Sequence, residues 1–298
     1  MLKRSQASRP SVFEVETLNE HGLREKTSIA GEHPLTIYLD KRELVTLMTL
    51  GAEPELLSLG YLRNQRFVNN VDDLDAVQVD WESESVAITS TVMANSGVSL
   101  WEQEGNSIAQ KMQHRTVTTG CGQGTVFGGL MDEVDAIRLN IPGQFHQASL
   151  NALLEQMRKH ESIYKVAGAV HGCALFSVAL AAASAPFLLS FVEDVGRHNA
   201  VDAIAGWMWL NASKLQPDHS LLVFYTTGRL TSEMVIKAAQ MGIGVLVSRS
   251  GLTNMGYQLA KKLNMTLIGR CQGRHFLLFA GEERFVSEPS LANYPGKS

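Results

Sequence analysis

Cys121 is the residue whose surroundings in the sequence most favour chemistry. It lies in residues 118–124, where glycine occupies every second position from 120 to 124. Because glycine lacks a Cβ and tolerates positive φ, such a loop lets a ligand approach the backbone closely and leaves a thiol uncovered. Lys111, His114 and Arg115 precede it with no acidic residue between, and a cationic environment favours the nucleophilic thiolate. The pattern indicates a reactive cysteine, although an inert cysteine in an ordinary glycine turn has the same local sequence.

Two turns that follow predicted strands each carry an arginine. Arg229 comes after an apolar strand and before a helix, and Arg249 takes the same place one strand later. Ligands of open α/β sheets bind at the carboxyl ends of the strands, where helix N-termini offer free N–H groups to phosphates. The two turns therefore indicate an anionic ligand, or else they are ordinary turns with surface arginines. Neither a Gly-x-Gly-x-x-Gly fingerprint nor a Walker lysine motif is present, which disfavours a classical dinucleotide dehydrogenase or P-loop enzyme.

A second basic cluster follows a later predicted strand. It consists of Arg270, Cys271, Gln272, Gly273 and Arg274. Guanidinium groups bind the oxygens of phosphates in pairs, so two arginines around a glycine turn suit a diphosphate. A solvent-exposed hairpin tip would have the same composition.

Two carboxylates, an arginine and a histidine lie within six residues: Glu193, Asp194, Arg197 and His198. Such a cluster at the end of an apolar strand suits proton transfer or positioning in acid–base chemistry. It equally suits a structural network of salt bridges and helix caps. The cluster follows residues 166–192, which carry no charge, and this contrast favours a functional role for Asp194 and His198.

The predicted elements divide the chain into five segments. Residues 1–30 are polar and are predicted to be irregular and flexible. Strands and one helix predict a small β-rich domain over residues 31–117, and residues 118–146 form the cysteine loop and a connection. Over residues 147–288, strands alternate with helices of about a dozen residues, which is typical of a parallel sheet with crossover helices. Residues 289–298 are predicted to be an unstructured tail.

Composition excludes several classes of protein. A net charge of −4 over 298 residues is not that of a nucleic-acid-binding protein. Three widely spaced cysteines do not form a disulfide framework and fit a reducing compartment, so we expect a cytoplasmic protein. No apolar segment follows the basic N-terminal residues, which argues against a secretory signal. Glycines, a proline and serines interrupt the uncharged residues 166–192, which we interpret as buried core and not as a membrane span.

Several segments together resemble the FdhD family, the accessory sulfurtransferases of molybdenum-dependent formate dehydrogenases. The resemblance covers residues 30 to 285, and it is most specific in the run from Glu193 to Asp202. The segments stand in the order Cys121 in its glycine-rich loop, residues 168–171, 193–202, 228–229 with 232–234, 247–250 and 267–274.

The resemblance implies a sulfur carrier. Such proteins accept sulfur from a cysteine desulfurase as a protein-bound persulfide and pass it to the molybdenum cofactor, bis(molybdopterin guanine dinucleotide), which is a bound substrate. The apo formate dehydrogenase catalytic subunit then receives the cofactor. The persulfide cysteine of the family falls on Cys121 and its cofactor-binding segment on residues 270–274, with Arg229 and Arg249 as further candidates. The resemblance also implies a homodimer.

One position departs from the family pattern. Many members have Cys-x-x-Cys in the glycine-rich loop, and this chain has Gly124 in place of the second cysteine. A single thiolate can still accept and donate sulfur, but mechanisms that need two thiols come into doubt. A molybdenum-cofactor-binding chaperone without sulfur transfer is therefore the alternative. We expect Cys173 to be buried and inert.

The family resemblance also implies a fold: a three-layer α/β domain like that of cytidine deaminases, beside a smaller β-rich N-terminal domain. Periodicity leaves residues 170–180 open to either a helix or a strand. The resemblance implies that they pair with residues 187–192 in a hairpin and that a helix starts near Arg197. A zinc deaminase needs a His-x-Glu and a Pro-Cys-x-x-Cys motif at the next two helix starts. Residues 198–200 are His-Asn-Ala and residues 228–232 contain no cysteine, so the catalytic glutamate and every thiol ligand are missing. We therefore expect neither zinc nor deamination.

Overall fold

The computed structural model describes residues 2–102, 134–180, 184–215 and 220–288 of the chain. The predicted reactive cysteine, Cys121, lies outside these residues. The described parts contain fifteen β-strands and seven α-helices, and a mixed α/β class is thereby confirmed.

The N-terminal part is built around a five-stranded sheet with the strand order β1-β6-β7-β4-β5. In β4 every second residue is apolar, and Leu35, Ile37 and Leu39 are fully buried. A hairpin joins β4 to β5 through Asp40 and Lys41, which both have positive φ. The elements are β1 (Lys3–Arg4), β2 (Val12–Leu18), β3 (Arg24–Ala30), β4 (His33–Leu39), β5 (Arg42–Thr49), α1 (Pro54–Asn64), β6 (Leu74–Asp80), β7 (Ser85–Ser90) and α2 (Thr91–Ser96).

Residues 1–30 contain strands where the sequence predicts irregular structure. β1 is the edge strand beside β6, and β2 and β3 form a separate antiparallel hairpin. Charged side chains pair across that hairpin, for example Lys26 with Glu14 at 2.7 Å. Both of its faces are largely exposed, so its sequence lacks the apolar alternation that indicates a half-buried strand.

The C-terminal part is built around a six-stranded sheet with the strand order β10-β9-β11-β12-β13-β14. β11, β12 and β13 are parallel, and the remaining pairs are antiparallel. The elements are β8 (Phe145–His146), α3 (Gln147–Lys159), α4 (Ile163–Ala167), β9 (His171–Ala179), β10 (Phe187–Asp194), α5 (Arg197–Leu210), β11 (Ser220–Thr226), α6 (Ser232–Gln240), β12 (Val245–Ser248), α7 (Asn254–Lys262), β13 (Thr266–Gln272), β14 (His275–Ala280) and β15 (Phe285–Val286).

Most predicted C-terminal elements are confirmed. The uncharged residues 166–192 fold largely into the β9–β10 hairpin, and the next helix begins at Arg197 as expected. Thr253 caps the N-terminus of α7, because its side chain accepts a hydrogen bond from the backbone N–H of Gly256. No helix within the described residues combines the length and the hydrophobicity that crossing a bilayer requires.

Helices cover both faces of the C-terminal sheet. Leu150 and Leu153 of α3 pack on one face with Phe176 and Val223, whereas α5, α6 and α7 pack on the other. One cluster of buried side chains on that second face continues through α1 into the N-terminal sheet. Burial of this apolar surface, at about 25 cal/mol per Å², is the main stabilising contribution.

α1 and α5 cross with their backbones in contact. A Cβ built on Gly60 would lie 1.6 Å from the carbonyl oxygen of Asp202, and one on Gly206 would lie 2.0 Å from that of Leu56. Only glycine fits at either position, since real Cβ atoms do not approach that closely. This crossing fixes α5 against the N-terminal part, and with it the N-terminus of α5.

Candidate functional site

The turns after β11, β12 and β13 form one edge of the C-terminal sheet. Because these strands are parallel, their carboxyl ends meet at the same edge. The backbone N–H of Leu230 donates to the carbonyl of Gly251 at 3.1 Å, and that of Arg270 donates to Ser250 at 2.8 Å. Arg229 and Arg249, from separate segments of the sequence, therefore lie on adjacent turns, and Arg270 at the end of β13 lies beside the turn of Arg249.

The arginines of this edge are exposed and lack acidic partners. Arg229, Arg249, Arg270 and Arg274 are all exposed, and none forms a salt bridge with another residue in the described parts of the chain. Arg249 instead lies over the ring of Tyr164, with its guanidinium carbon 5.6 Å from the ring centre. Like charges that are concentrated without counter-ions attract anions.

A cavity of about 750 Å³ opens at this edge, on the α3 side of the sheet. Its lining includes Arg249 and the predicted run of Cys271, Gln272, Gly273 and Arg274. Arg229 and Arg270 belong to the same edge but do not line the cavity. The volume is within the range of roughly 300–1,000 Å³ typical of small-molecule sites.

The opposite wall of the cavity comes from α3, α4 and β10. Phe191 and His160 form a T-shaped pair with ring centres 4.3 Å apart, and Tyr164 and Tyr225 add two further rings to the lining. Burial raises the pKa of Tyr225 to about 12, so its hydroxyl stays protonated at neutral pH. The wall thus offers aromatic surface opposite the arginines, which suits a planar ring bearing anionic groups.

Glu193 determines where α4 lies. Its carboxylate oxygens accept the backbone N–H groups of Ile163 at 2.6 Å and Tyr164 at 3.1 Å, the first two residues of α4. A carboxylate at a helix N-terminus is stabilised by the free N–H groups there. Glu193 therefore holds the aromatic ring of Tyr164 near Arg249 and acts as a structural member of the site.

The backbone at the end of β13 turns neighbouring side chains in different directions. The pairing register shifts between Gly269 and Gln272, and Arg270 has φ of 54°. Cys271 consequently points into the protein, with 4% of its surface exposed, while Arg270 and Gln272 point outwards. Such shifts in strands re-aim side chains and are frequent near functional sites, and a non-glycine residue at positive φ costs energy that the surroundings must offset.

Both cysteines in the described residues are poor nucleophiles. Cys173 is fully buried in β9, and its thiol lies 3.3 Å from the hydroxyl of Thr226. Burial raises the pKa of Cys173 and of Cys271 to about 12 in each case. Since the thiolate is the reactive form, neither thiol is activated, and the predicted burial of Cys173 is confirmed.

Asp194 lies away from the cavity and links two parts of the chain. Its buried carboxylate accepts hydrogen bonds from the hydroxyl of Thr49, the backbone of Leu50 and Gly196, and the side chain of Asn199. Burial raises the pKa of Asp194 even though these bonds favour the charged form. The arrangement ties the end of β5 to the start of α5, and the positioning role of Asp194 stays a prediction. Proton transfer finds no support here, since the carboxylate is 5% exposed and enclosed by its donors.

His198 belongs to a buried network of charges between α1, α5 and α6. Its Nε2 lies 3.3 Å from Glu233, whose other oxygen lies 3.3 Å from Lys237. Lys237 also contacts Asp202 at 2.9 Å, and Asp202 accepts the side-chain amide of Asn64 at 2.7 Å. Burial alone would lower the pKa of Lys237, but the two carboxylates raise it above its ordinary value.

This network joins the N-terminal half of α5 to α6. Burial alone would raise the pKa of Glu233, but Lys237 and His198 bring it below its ordinary value. Burial raises the pKa of Asp202. Within the described residues, no three His, Cys, Asp or Glu side chains converge in a way that could hold a metal ion. Lys237 lies between the carboxylates of Asp202 and Glu233, and His198 contacts the second of them, which is the arrangement expected of a structural cluster.

Sequence reasoning missed the aromatic wall of the cavity and the buried lysine. Residues 160–167 contain one usable signal, since Ser162 caps α4 by accepting a hydrogen bond from Lys165. A serine at that position predicts a helix start, but α4 has only five residues. Lys237 gave no signal at all, because its charge resembles that of an exposed helix face.

Comparisons with known proteins agree with one another over most of the chain. The sulfur carrier protein FdhD of Listeria monocytogenes serotype 4b (strain F2365) is 27% identical over 263 residues, covering 88% of this chain and 92% of that protein. The sulfur carrier protein FdhD of Bacillus subtilis (strain 168) is 28% identical over 254 residues, covering 85% and 88% respectively.

A solved structure supports the fold. The crystal structure of a formate dehydrogenase accessory protein from Desulfotalea psychrophila superimposes with a TM-score of 0.67 and 23% identity, covering 93% of this chain and 100% of that one. The FdhD/NarQ family model matches residues 30–286, which include the sheet edge, the cavity and the buried network. The chain therefore belongs to the FdhD/NarQ family.

Proposed function

We propose that this protein is a sulfur carrier in the maturation of formate dehydrogenase, with Cys121 as the residue that carries the sulfur as a persulfide. Relatives that span most of the chain are named sulfur carrier proteins. Of the three cysteines in the sequence, Cys173 and Cys271 are buried, with a pKa of about 12 each. These two thiols are unsuited to nucleophilic attack, which favours Cys121 for that role.

The loading step is a thiol exchange. The Cys121 thiolate attacks the outer sulfur of a persulfide on a cysteine desulfurase, the sulfur–sulfur bond of that persulfide breaks, and the desulfurase thiolate leaves. One sulfur atom moves, and no net oxidation occurs. To release the outer sulfur as sulfide, a second thiol must attack the inner sulfur and form a disulfide with Cys121. Because Gly124 replaces the second loop cysteine of many relatives, that thiol has to come from another molecule.

The acceptor is the molybdenum cofactor in its bis(molybdopterin guanine dinucleotide) form, bound as a substrate. The observation that carries this assignment is the cavity edged by exposed arginines without acidic partners. Arg249 and Arg274 suit the diphosphate of a guanine dinucleotide arm, and the rings of Tyr164 and Phe191 suit its purine. A cavity of about 750 Å³ holds one such arm, and the remaining parts of the substrate extend beyond it.

We also propose a three-layer fold, a site without zinc and a homodimeric assembly. A six-stranded sheet between α3 on one face and α5 to α7 on the other supports three layers like those of cytidine deaminases. His198 and Glu233 at the two helix starts provide no thiol for zinc, which supports a protein without zinc or deaminase activity. The family resemblance supports a cytoplasmic homodimer that works with the apo formate dehydrogenase catalytic subunit.

A second candidate is a cofactor chaperone that transfers no sulfur, and Gly124 is the observation that favours it. The cavity and its arginines would serve a chaperone equally well. Replacing Cys121 with alanine separates the two functions. A strain that depends on this protein should lose formate dehydrogenase activity with Cys121→Ala if sulfur is transferred, and should keep it if the protein only delivers cofactor.

Mass spectrometry tests the persulfide directly. The full chain is incubated with a cysteine desulfurase and L-cysteine, and its peptides are then analysed. We expect one additional sulfur atom on Cys121 and none in Cys121→Ala. The variant Cys173→Ala should load like the unaltered protein, because that thiol is buried. An unmodified Cys121 in a chain that binds cofactor would select the chaperone.

GDP tests the cavity as a nucleotide site. We expect Arg249→Gln and Arg274→Gln each to weaken GDP binding by about tenfold or more, since a hydrogen bond to a charged group contributes about 1.5–3 kcal/mol. Lys261→Gln is the matched control. It removes one exposed charge near the end of α7, at the opposite edge of the sheet. Titration calorimetry measures all three variants, and an equal effect of the control would refute the assignment.

A further inference from the structure

A second group of basic side chains lies at the same sheet edge, on the other face. Successive side chains of β9 alternate between faces: Ala174 and Phe176 face α3 and the cavity, whereas Cys173 and Leu175 face α5. By this alternation His171, the first residue of β9, lies on the α5 face. None of the residues that line the cavity is His171, Arg197 or Arg229.

Hydrogen bonds fix the turn that carries Arg229 beside His171. The backbone of Gly172 donates to the hydroxyl of Thr227 at 3.0 Å, and the N–H of Thr227 returns a bond to the carbonyl of Gly172 at 2.9 Å. The carbonyl of the following residue, Gly228, accepts a hydrogen bond from the hydroxyl of Ser248 at 2.7 Å. Arg229 therefore projects from a turn with a defined backbone.

Arg197 completes the group from the start of α5. A Cβ built on Gly228 would lie 3.0 Å from the Cδ of Arg197 and 3.2 Å from its Cβ, so the arginine side chain lies directly against the glycine. Burial, and then the charges of Arg197 and Arg229, lower the pKa of His171. Both guanidinium groups therefore disfavour a further positive charge on the imidazole.

The charge of Arg229 is available to a ligand. Arg229 is exposed and forms no salt bridge within the described residues, and His171 is half-buried beside it. Basic side chains brought together around a glycine turn suit a compact anion that accepts several hydrogen bonds. The aromatic wall that suits a purine lies across the sheet edge, in the cavity.

We propose that His171, Arg197 and Arg229 form a second anion-binding subsite, which holds the anionic molybdenum–dithiolene end of the substrate while the cavity holds a guanine nucleotide arm. This inference rests on the proposed function. It assigns the two faces of one sheet edge to two parts of one molecule. Arg229, predicted from the sequence as a general cofactor-binding residue, then contacts the reacting end and not the nucleotide.

Two probes separate the subsites: GDP, and the bis(molybdopterin guanine dinucleotide) cofactor released without oxygen from a purified molybdoenzyme. With Arg229→Gln we expect cofactor binding to weaken about tenfold or more and GDP binding to change less than twofold. Arg249→Gln should weaken both ligands. Arg229→Lys, which keeps the charge, should restore most of the cofactor affinity, and His171→Asn should lower cofactor binding alone.

Each outcome of these binding measurements either supports or refutes the second anion-binding subsite. If Arg229→Gln weakens GDP as much as cofactor, the residue belongs to the nucleotide cavity and the second subsite is refuted. Unchanged cofactor binding in both Arg229→Gln and His171→Asn refutes it as well. Thermal unfolding of each variant excludes misfolding, which Arg229→Lys also controls. If GDP binds and Cys121 loads sulfur while Arg229→Gln has no effect, only this inference fails; if the unaltered protein binds neither probe, the proposed cofactor binding fails with it.

Discussion

Replacing Lys237 with methionine removes a buried ammonium group and keeps a side chain of similar length. Lys237 is 1% exposed and contacts Asp202 at 2.9 Å and Glu233 at 3.3 Å. Without it, among the described residues Asp202 keeps only the amide of Asn64 at 2.7 Å, and Glu233 keeps His198 at 3.3 Å. Breaking a buried ion pair by removing one partner costs about 3–5 kcal/mol. We expect a loss of that size in the free energy of unfolding at pH 7.

The pH dependence of this loss in unfolding free energy shows whether the uncompensated carboxylates cause it. In the variant, burial without a cation raises the folded-state pKa of Asp202 and Glu233 above their unfolded values near 4. A raised pKa contributes stability that is present below the unfolded pKa and lost as pH rises through the folded one. The difference between Lys237→Met and the unaltered protein should therefore shrink as pH falls from 7 towards 4.

Urea unfolding, followed by circular dichroism at several pH values, measures this difference. Lys261→Met is the control, because Lys261 is exposed and contacts only the ring of Tyr257 among the described residues. It should change stability by less than about 0.5 kcal/mol. Adding Asp202→Asn to Lys237→Met should recover part of the loss, since one uncompensated charge disappears. A loss below about 1 kcal/mol, or one that does not vary with pH, would show that the buried charges are not coupled as described.

Three further outcomes follow from local geometry. Gly206→Ala should lower the free energy of unfolding by about 1–3 kcal/mol or more in urea unfolding, because its Cβ would lie 2.0 Å from the carbonyl of Leu56. Iodoacetamide at pH 8 should leave Cys173 and Cys271 unlabelled in the folded protein and label both in urea, as mass spectrometry can show, because each pKa is about 12. Asp194→Asn should cost about 1–3 kcal/mol in the same unfolding assay, since its amide nitrogen would face groups that donate to the carboxylate; an unchanged stability would contradict its linking role.

The sheet edge could be predicted from sequence because its signals are local. Apolar runs, caps and glycines mark where β11, β12 and β13 end, and alternation with helices makes those strands parallel. Parallel strands bring their carboxyl ends together, so Arg229, Arg249 and residues 270–274 were expected near one another. The structure places them at one edge, although Arg229 and Arg270 lie outside the cavity that Arg249 and residues 271–274 line.

Elements without a buried face could not be predicted in this way. The β2–β3 hairpin has exposed residues such as Phe13 and Ile29 on one face and charged pairs on the other. Its strands are stabilised by pairing with each other, which leaves no alternation of apolar residues in the sequence. The sequence does not predict α4 either, because this helix has only five residues. Its position depends on the carboxylate of Glu193, 30 positions away from Ile163.

Long-range polar contacts were also beyond sequence reasoning. Glu233 and Lys237 have the i, i+4 spacing of an ordinary surface ion pair, and nothing nearby indicates that Asp202 closes a buried triad with them. Asp194 likewise accepts a hydrogen bond from Thr49, which lies in a strand 145 residues earlier in the sequence. The acidic and basic residues around 193–202 were predicted as either functional or structural, and Asp194 has the contacts of a structural link.

The distribution of partners over the charged residues explains how the site can work. Inside the protein, Lys237 and its carboxylates compensate one another, and Asp194 is enclosed by donors. These contacts hold α5 and α6 in place. The first residue of α5 is Arg197, and α6 begins shortly after Arg229. At the sheet edge, by contrast, the exposed arginines have no acidic partner among the described residues. Their mutual repulsion is relieved when an anion binds, so we expect cofactor and GDP affinity to fall as ionic strength rises, while the stability that depends on the buried network changes little.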